Sequence, residues 1–246
     1  MVINMLNQFS RTELILGFEA MEKLNNSTVA IFGIGGVGGY VCEALARSGV
    51  GSFVLVDSDT VALTNINRQI IATLDTVGKY KCEVMKDRIL SINPDAKVEI
   101  YNKFFLPENQ DEFDFTKYDY VVDAVDTVTA KIAIIMKAKE NKVPVISAMG
   151  AGNKLNPAML EVDDLFNTKV DPLAKVMRIE LKKRKINKLK VVYSKELPIK
   201  PNESQEDSNK REVPGSNAFV PTTMGLIIAS EVVKDLTNVR NDIKGA

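Results

Sequence analysis

Apolar positions along this chain follow two rhythms. Short runs that are apolar at nearly every position, such as Ser27–Gly33 (STVAIFG) and Gly51–Asp57 (GSFVLVD), predict strands buried on both faces. Val37–Val50 (VGGYVCEALARSGV) and Gly78–Pro94 (GKYKCEVMKDRILSINP) instead take helical spacing, the second stopped by Asn-Pro. The alternation continues through strands at KVEIYN (97–102) and Tyr118–Asp126 (YDYVVDAVD), a helix over roughly 128–141, and a strand at Val143–Ala148 (VPVISA). Strands alternating with helices of this length predict an α/β fold, a Rossmann-like, doubly wound, mainly parallel sheet with helices on both faces. Beyond residue 150 the alternation weakens. Asn202–Asn217 (NESQEDSNKREVPGSN) is strongly polar and reads as a mobile loop around 200–217. Thr222–Leu236 (TTMGLIIASEVVKDL) then reads as a closing amphipathic helix. With no internal repeat and no sign of a second core, the reading is a single domain over residues 1–246.

In such sheets ligands bind beyond the carboxyl ends of the strands, where Gly33, Asp57 and Asp126 all fall. In the loop GIGGVGG, Gly33, Gly35 and Gly38 match G-x-G-x-x-G between a predicted strand and helix, with Gly36 a further candidate inside it. Glycine there permits a tight turn and lets backbone amides and the helix N-terminus approach a phosphate. Asp57, at the end of the next strand, is placed to accept hydrogen bonds from ribose hydroxyls. The motif points to a nucleotide without saying which. Glycines that merely let a helix pack against a strand are the bland alternative.

The stretch LTNINRQI (Leu63–Ile70) narrows the choice, because a nicotinamide enzyme has no evident need for an Asn, Asn, Arg, Gln cluster there. Arg68 offers a rigid fork of donors suited to phosphate oxygens. Lys81, about one turn into the helix after Gly78, adds a mobile cation. Asp126 suits a magnesium ion, which prefers a carboxylate together with phosphate oxygens. Singly, Arg68 also suits an acid pair, Lys81 a solvated face and Asp126 a helix cap. Together, on one edge of one sheet, the three favour ATP.

Composition trims the alternatives. The chain has 32 Lys and Arg against 32 Asp and Glu, so any attraction to nucleic acid must be local. It has no histidine, which removes Ser-His-Asp, Cys-His and His-metal chemistry. Cys42 and Cys82 form no CxxC pair, so neither a disulfide framework nor a zinc site is expected, in keeping with a cytoplasmic location. No charged-then-apolar leader is visible and no apolar run reaches the roughly 20 residues that span a bilayer, so no membrane association is expected.

GIGGVGG, VDSDTV, NINRQ, GKYK and DAVD fall in the order and spacing of the E1-like (ubiquitin-activating, ThiF-type) adenylating enzymes, which this chain resembles from about Arg11 to Val162 and more weakly beyond. Those enzymes activate a carboxylate as an acyl-adenylate. The resemblance implies that Asp57 holds the ribose and that Thr64, Asn65, Asn67, Arg68 and Gln69 line the nucleotide and its phosphates. It implies that Lys81 contacts phosphate and that Asp126 with Thr127 sits at the magnesium and α-phosphate. QFSRTELILG resembles the family's N-terminal segment, which implies a homodimer in which Arg11 reaches the partner's ATP site. No cysteine follows Cys82, which closes acyl transfer to a protein thiol in the second half of the chain.

GIGGVGGYVCEALARSGVG, TNINRQI, AMGAGNKLNP and KVDPLAKVMRIELKKRK resemble, more narrowly, the tRNA threonylcarbamoyladenosine dehydratases. That implies adenylation of the threonylcarbamoyl carboxyl on an anticodon-loop adenosine, followed by ring closure with loss of AMP. The alternative carried forward is an adenylyltransferase for the C-terminal carboxylate of a ubiquitin-like sulfur carrier. Leu173–Lys190 concentrates positive charge, and Lys182, Lys183, Arg184 and Lys185 are its candidate tRNA contacts. A solvated helix face is the alternative there, and Tyr193 is the nearby aromatic for base stacking. Whether an accessory protein delivers the substrate is left open.

Overall fold

The computed structural model describes residues 6–202 and 214–239. The centre of the predicted mobile loop, 203–213, lies outside the described residues. In chain order the elements are α1 (Ser10–Leu16), α2 (Phe18–Asn25), β1 (Thr28–Phe32), α3 (Gly38–Arg47), β2 (Ser52–Val56), α4 (Lys81–Ile92) and β3 (Lys97–Tyr101). Then come β4 (Tyr120–Asp123), α5 (Val128–Glu140), β5 (Val145–Ala148), β6 (Leu160–Asp164), α6 (Pro172–Lys183), β7 (Lys190–Ser194) and α7 (Val220–Thr237).

The strands form one seven-stranded sheet in the order β3-β2-β1-β4-β5-β7-β6, parallel except for β6, which runs antiparallel to β7. Its central strands are continuous apolar runs because both faces are covered. Ile31 of β1 sits between Leu55 of β2 and Val122 of β4, all three fully buried. One face packs α3, α4 and α7 around Val41, Leu45, Met85, Met224 and Ile228. The other packs α5 and α6 with an aromatic cluster in which the Phe32 ring lies 5.0 Å from Phe105 and 5.6 Å from Phe115. The predicted doubly wound sheet is therefore present.

The predicted alternation to residue 150 is also present, with ends trimmed by a few residues. The helix expected from Gly78 begins at Lys81, because Gly78–Tyr80 forms a turn bridged to Thr60. Past residue 150 the chain is more regular than its sequence rhythm implies, since β6, α6 and β7 complete the sheet.

Topology decides where a ligand sits. The chain leaves β1 for β2 and β3 on one side, then returns to β4 on the other, so the loops after β1 and β4 part above the sheet. That switch point is where open α/β sheets bind ligands.

Candidate active site

A cleft of about 1150 Å³ opens at this switch point. Gly33, Gly35, Gly36, Asp57, Asn65, Arg68, Gln69, Lys81, Asp126 and Thr127 all line it. Two of the glycines are steric necessities. Gly33 has φ +90°, and a Cβ there would lie 2.7 Å from the carbonyl oxygen of Ala124 in the loop after β4. A Cβ on Gly38 would lie 1.8 Å from the carbonyl oxygen of Gly33. Gly38 is thus a packing glycine behind the cleft wall. A Cβ on Gly35 would meet only Gln69 Nε2, at 3.9 Å, so its freedom serves whatever occupies the cleft.

Asp57 is built into the loop it faces. Its Oδ2 accepts from the Ile34 amide at 2.6 Å and its Oδ1 from the Asp59 amide at 2.8 Å. Burial raises its carboxyl above the ordinary range, against the opposing pull of Lys81 and the two amides. Lys81 is 6% exposed, with Nζ 2.6 Å from Asp59 Oδ2 and 3.8 Å from Asp57 Oδ1. The ammonium is held in the cleft wall by carboxylates and aimed, which differs from the expected mobile charge.

The NINRQ segment follows a short 3-10 turn at Leu63–Asn65. Arg68 Nη1 donates to the Thr64 carbonyl at 2.9 Å and to Asn67 Oδ1 at 2.7 Å. Thr64 and Asn67 do not line the cleft; they fix the guanidinium that does. Gln69 is buried, and its Oε1 has no hydrogen-bond partner among the described residues. A buried amide oxygen without a partner is costly and calls for a donor.

Asp126 lies three residues beyond the end of β4, and Thr127 occupies the N-cap position of α5. Asp126 is therefore not the helix cap. The Thr127 hydroxyl donates to Asp126 Oδ1 at 3.3 Å. Among the described residues no cluster of three or more His, Cys, Asp or Glu is arranged to hold a metal.

Two buried ion pairs brace the cleft, and sequence reasoning missed both. Lys131 and Asp123 are each 0% exposed and 3.0 Å apart. The Ser147 hydroxyl donates to Asp123 Oδ2 at 2.5 Å, and Lys131 Nζ donates to the Val125 carbonyl at 3.0 Å. This network fixes the loop that carries Asp126. Its available signal was a lysine on the apolar side of a helix, in VTAKIAII. Lys154 pairs with Asp171 at 2.8 Å, while Asp171 also caps α6 through the Ala174 amide and accepts from the Gly150 amide. Here the signal was the Lys and Asp within the quoted AMGAGNKLNP and KVDPLAK.

Other expectations land elsewhere. Tyr193 is buried in β7 at 2% exposure and offers no stacking face. The exposed aromatics at the cleft are Tyr80 and Phe104. Lys182, Lys183, Arg184 and Lys185 do not reach the cleft. Lys183 and Arg184 instead pair with Glu180 at 2.6 and 2.8 Å. Arg11 is exposed on α1 and does not line this chain's cleft. Cys42 and Cys82 are both buried, and burial, with the Asp57 charge nearby, pushes the Cys82 thiol up to about 12.

Glycine loop, strand-end acid, aimed Lys81 and Arg68 at one switch point define a nucleotide-binding α/β protein of the doubly wound type. The ThiF family profile matches residues 8–246, and the chain belongs to that family. Among its relatives is a tRNA threonylcarbamoyladenosine dehydratase of Bacillus subtilis, 45% identical over 94% of this chain and 95% of that one. The enzyme of the same name from Haemophilus influenzae is 37% identical over 89% of this chain and 88% of its own length. The crystal structure of the E. coli enzyme, TcdA, in complex with ATP superposes with a TM-score of 0.86 at 35% identity, covering 94% of each chain.

Proposed function

We propose that this chain is an ATP-dependent tRNA threonylcarbamoyladenosine dehydratase acting in the cytoplasm. The observation that carries the reading is the cleft itself. It gathers donors for two anions on one sheet edge, while both cysteines of the chain are buried. The activated acyl group therefore goes to a nucleophile on the substrate and not to a protein thiol.

The geometry suggests a division of labour. The Gly33–Gly36 loop and the N-terminus of α3 face the phosphates, and Asp57 accepts from the ribose. Gln69 Oε1 gains a donor when the cleft is filled. Arg68 and Lys81 stabilise the charge that grows as a carboxylate oxygen of the substrate bonds to the α-phosphorus and pyrophosphate departs. Asp126 with Thr127 is the carboxylate and hydroxyl pair that would hold a magnesium ion, a hard cation satisfied by one protein carboxylate together with phosphate oxygens and water. That ion, when bound, neutralises charge on the phosphates. The second step belongs to the substrate: a nitrogen or oxygen of the same modification attacks the acyl carbon, the acyl–oxygen bond breaks, and AMP leaves with that oxygen. The nucleoside has then lost one water.

The active unit is a homodimer. α1 buries none of its residues, and Leu14 and Ile15 are 86% and 81% exposed. Apolar side chains this open are suited to a subunit contact, and Arg11 beside them would enter the partner's cleft. Among the described residues no helix is long and apolar enough to cross a membrane.

The test is pyrophosphate release from ATP and magnesium with threonylcarbamoyl-modified or unmodified tRNA, with mass analysis of the nucleosides. Release with modified tRNA alone, and a nucleoside lighter by one water, is the expected result. ATP binding without tRNA-dependent turnover would reject the reading in favour of an adenylyltransferase for a carrier-protein C-terminus.

A further inference from the structure

Asn153, on the cleft wall, holds a backbone conformation that calls for a reason. Its φ is +59°, in the left-handed region that L side chains rarely adopt and that Asn tolerates better than most. The turn that carries it is pinned by a buried lysine: Lys154 Nζ donates to the Gly150 carbonyl at 2.5 Å and to Asp171 Oδ2 at 2.8 Å. Residues over-determined in this way cluster where the held geometry serves a site.

Held there, Asn153 grips the connection from β7 to α7 at two points. Its Oδ1 accepts from the Gly215 amide at 2.6 Å, and its own amide donates to the Gly215 carbonyl at 2.8 Å. Its carbonyl accepts from the Ile199 amide at 2.7 Å. The fit on the Gly215 side is close, since a Cβ on Gly152 would lie 3.1 Å from Pro214 Cβ. Asn217 continues the attachment. Its Nδ2 donates to the Lys154 carbonyl at 2.6 Å, and its Oδ1 accepts from the Phe219 and Val220 amides at the start of α7.

Between these two anchors, the Ser216 carbonyl accepts from Asn67 Nδ2 at 3.1 Å. The other end of the same amide, Asn67 Oδ1, accepts from Arg68 Nη1 at 2.7 Å. Asn67 is exposed, so an amide engaged at one end only would be free to turn. Engaged at both ends, it fixes the plane in which the Arg68 fork is presented to the cleft. Three hydrogen bonds therefore link Asn153 to the guanidinium: Gly215 to Asn153, Asn67 to Ser216, and Arg68 to Asn67.

We propose that Asn153 is a positioning residue for the nucleotide: by clasping Gly215 it sets the Ser216 carbonyl, which through Asn67 aims the Arg68 guanidinium at the phosphates. The inference rests on the reading of Arg68 as a phosphate-facing group given above. It ties the turn between β5 and β6 to the segment after β2, which the topology leaves on opposite sides of the switch point.

The test is calorimetric titration of ATP with magnesium into wild type, Asn153→Gly, Asn153→Asp and Asn67→Ala, and into the Gly and Ala variants again in an Arg68→Ala background. Asn153→Gly keeps the left-handed backbone and loses the side-chain acceptor, whereas Asn153→Asp keeps both. Asn153→Gly and Asn67→Ala should each weaken ATP binding about tenfold, and neither should weaken it further once Arg68 is gone. Asn153→Asp should bind near wild type. Thermal melts of all variants should stay close to wild type. Losses that persist in full without Arg68, or single variants that bind ATP normally, would overturn the proposal. An Asn153→Gly protein that melts early would overturn it too, since Asn153 would then hold the fold and not Arg68. Wild type that shows this coupling but releases no pyrophosphate with modified tRNA would reject the dehydratase reading and leave the coupling standing.

Discussion

Replacing Lys131 with Met isolates the ion pair beneath the cleft. The side chain is 0% exposed and its ammonium has two partners, Asp123 Oδ2 at 3.0 Å and the Val125 carbonyl at 3.0 Å. Met fills a similar volume, so the change removes charge and two hydrogen bonds with little cavity. Asp123 is left fully buried with only the Ser147 hydroxyl and a long 3.4 Å bond from the Val125 amide. Removing one partner of a buried pair costs about 3–5 kcal/mol, because the other charge stays behind uncompensated. For a chain of this size that lowers Tm by roughly 6–20 °C. Urea denaturation of Lys131→Met, Asp123→Asn and the double variant gives the cycle. The double variant should be clearly more stable than the sum of the two single losses predicts, since a neutral pair leaves no stranded charge. Strict additivity, or a Lys131→Met loss under about 1 kcal/mol, would refute the claim that this pair braces the loop carrying Asp126.

The two kinds of glycine separate folding from binding. Gly38→Ala must displace the Gly33 carbonyl and should destabilise the fold by about 1–3 kcal/mol or more; Gly35→Ala should melt near wild type yet bind ATP at least about tenfold more weakly, because its methyl enters ligand space. Thermal melts with ATP titration distinguish them. Cys82, buried and with its thiol pushed up to about 12, should resist iodoacetamide at neutral pH until urea unfolds the chain, and Cys82→Ala should retain turnover. Rapid labelling of the native protein would contradict this. Arg68→Ala should lower kcat by about 10²–10³. Mixing Arg11→Ala with Arg68→Ala should restore about a quarter of wild-type activity, because half the dimers then hold one intact composite site. No recovery on mixing would mean that Arg11 does not act across the subunits.

Much of this was legible in the sequence because strand-end positions follow from β1, β2 and β4 being uninterrupted apolar runs. Gly33, Asp57 and Asp126 fall at one sheet edge by topology alone. Side-chain roles were less legible. Nothing local says that Thr64 and Asn67 stand behind Arg68, since that depends on how a 3-10 turn orients the chain. Lys131–Asp123 and Lys154–Asp171 pair across loops and strands, so their charges look like ordinary polar positions until the sheet is assembled. Nor does the sequence show that Lys139, in the last turn of α5, lies close enough to Lys188 to feel its charge. β6 was hidden because its LEVDD positions are acidic and mostly only half-buried, and β7 because its short apolar core VVY is entered from a lysine-rich turn.

The central claim is that a substrate carboxylate oxygen bonds to the α-phosphorus in this cleft. Threonylcarbamoyl-modified tRNA carrying a heavy-oxygen label in that carboxyl tests it directly. After turnover with unlabelled ATP, mass spectrometry should find the label in AMP and one labelled oxygen lost from the nucleoside. Label appearing in water or pyrophosphate, with none in AMP, would contradict adenylation of that carboxyl.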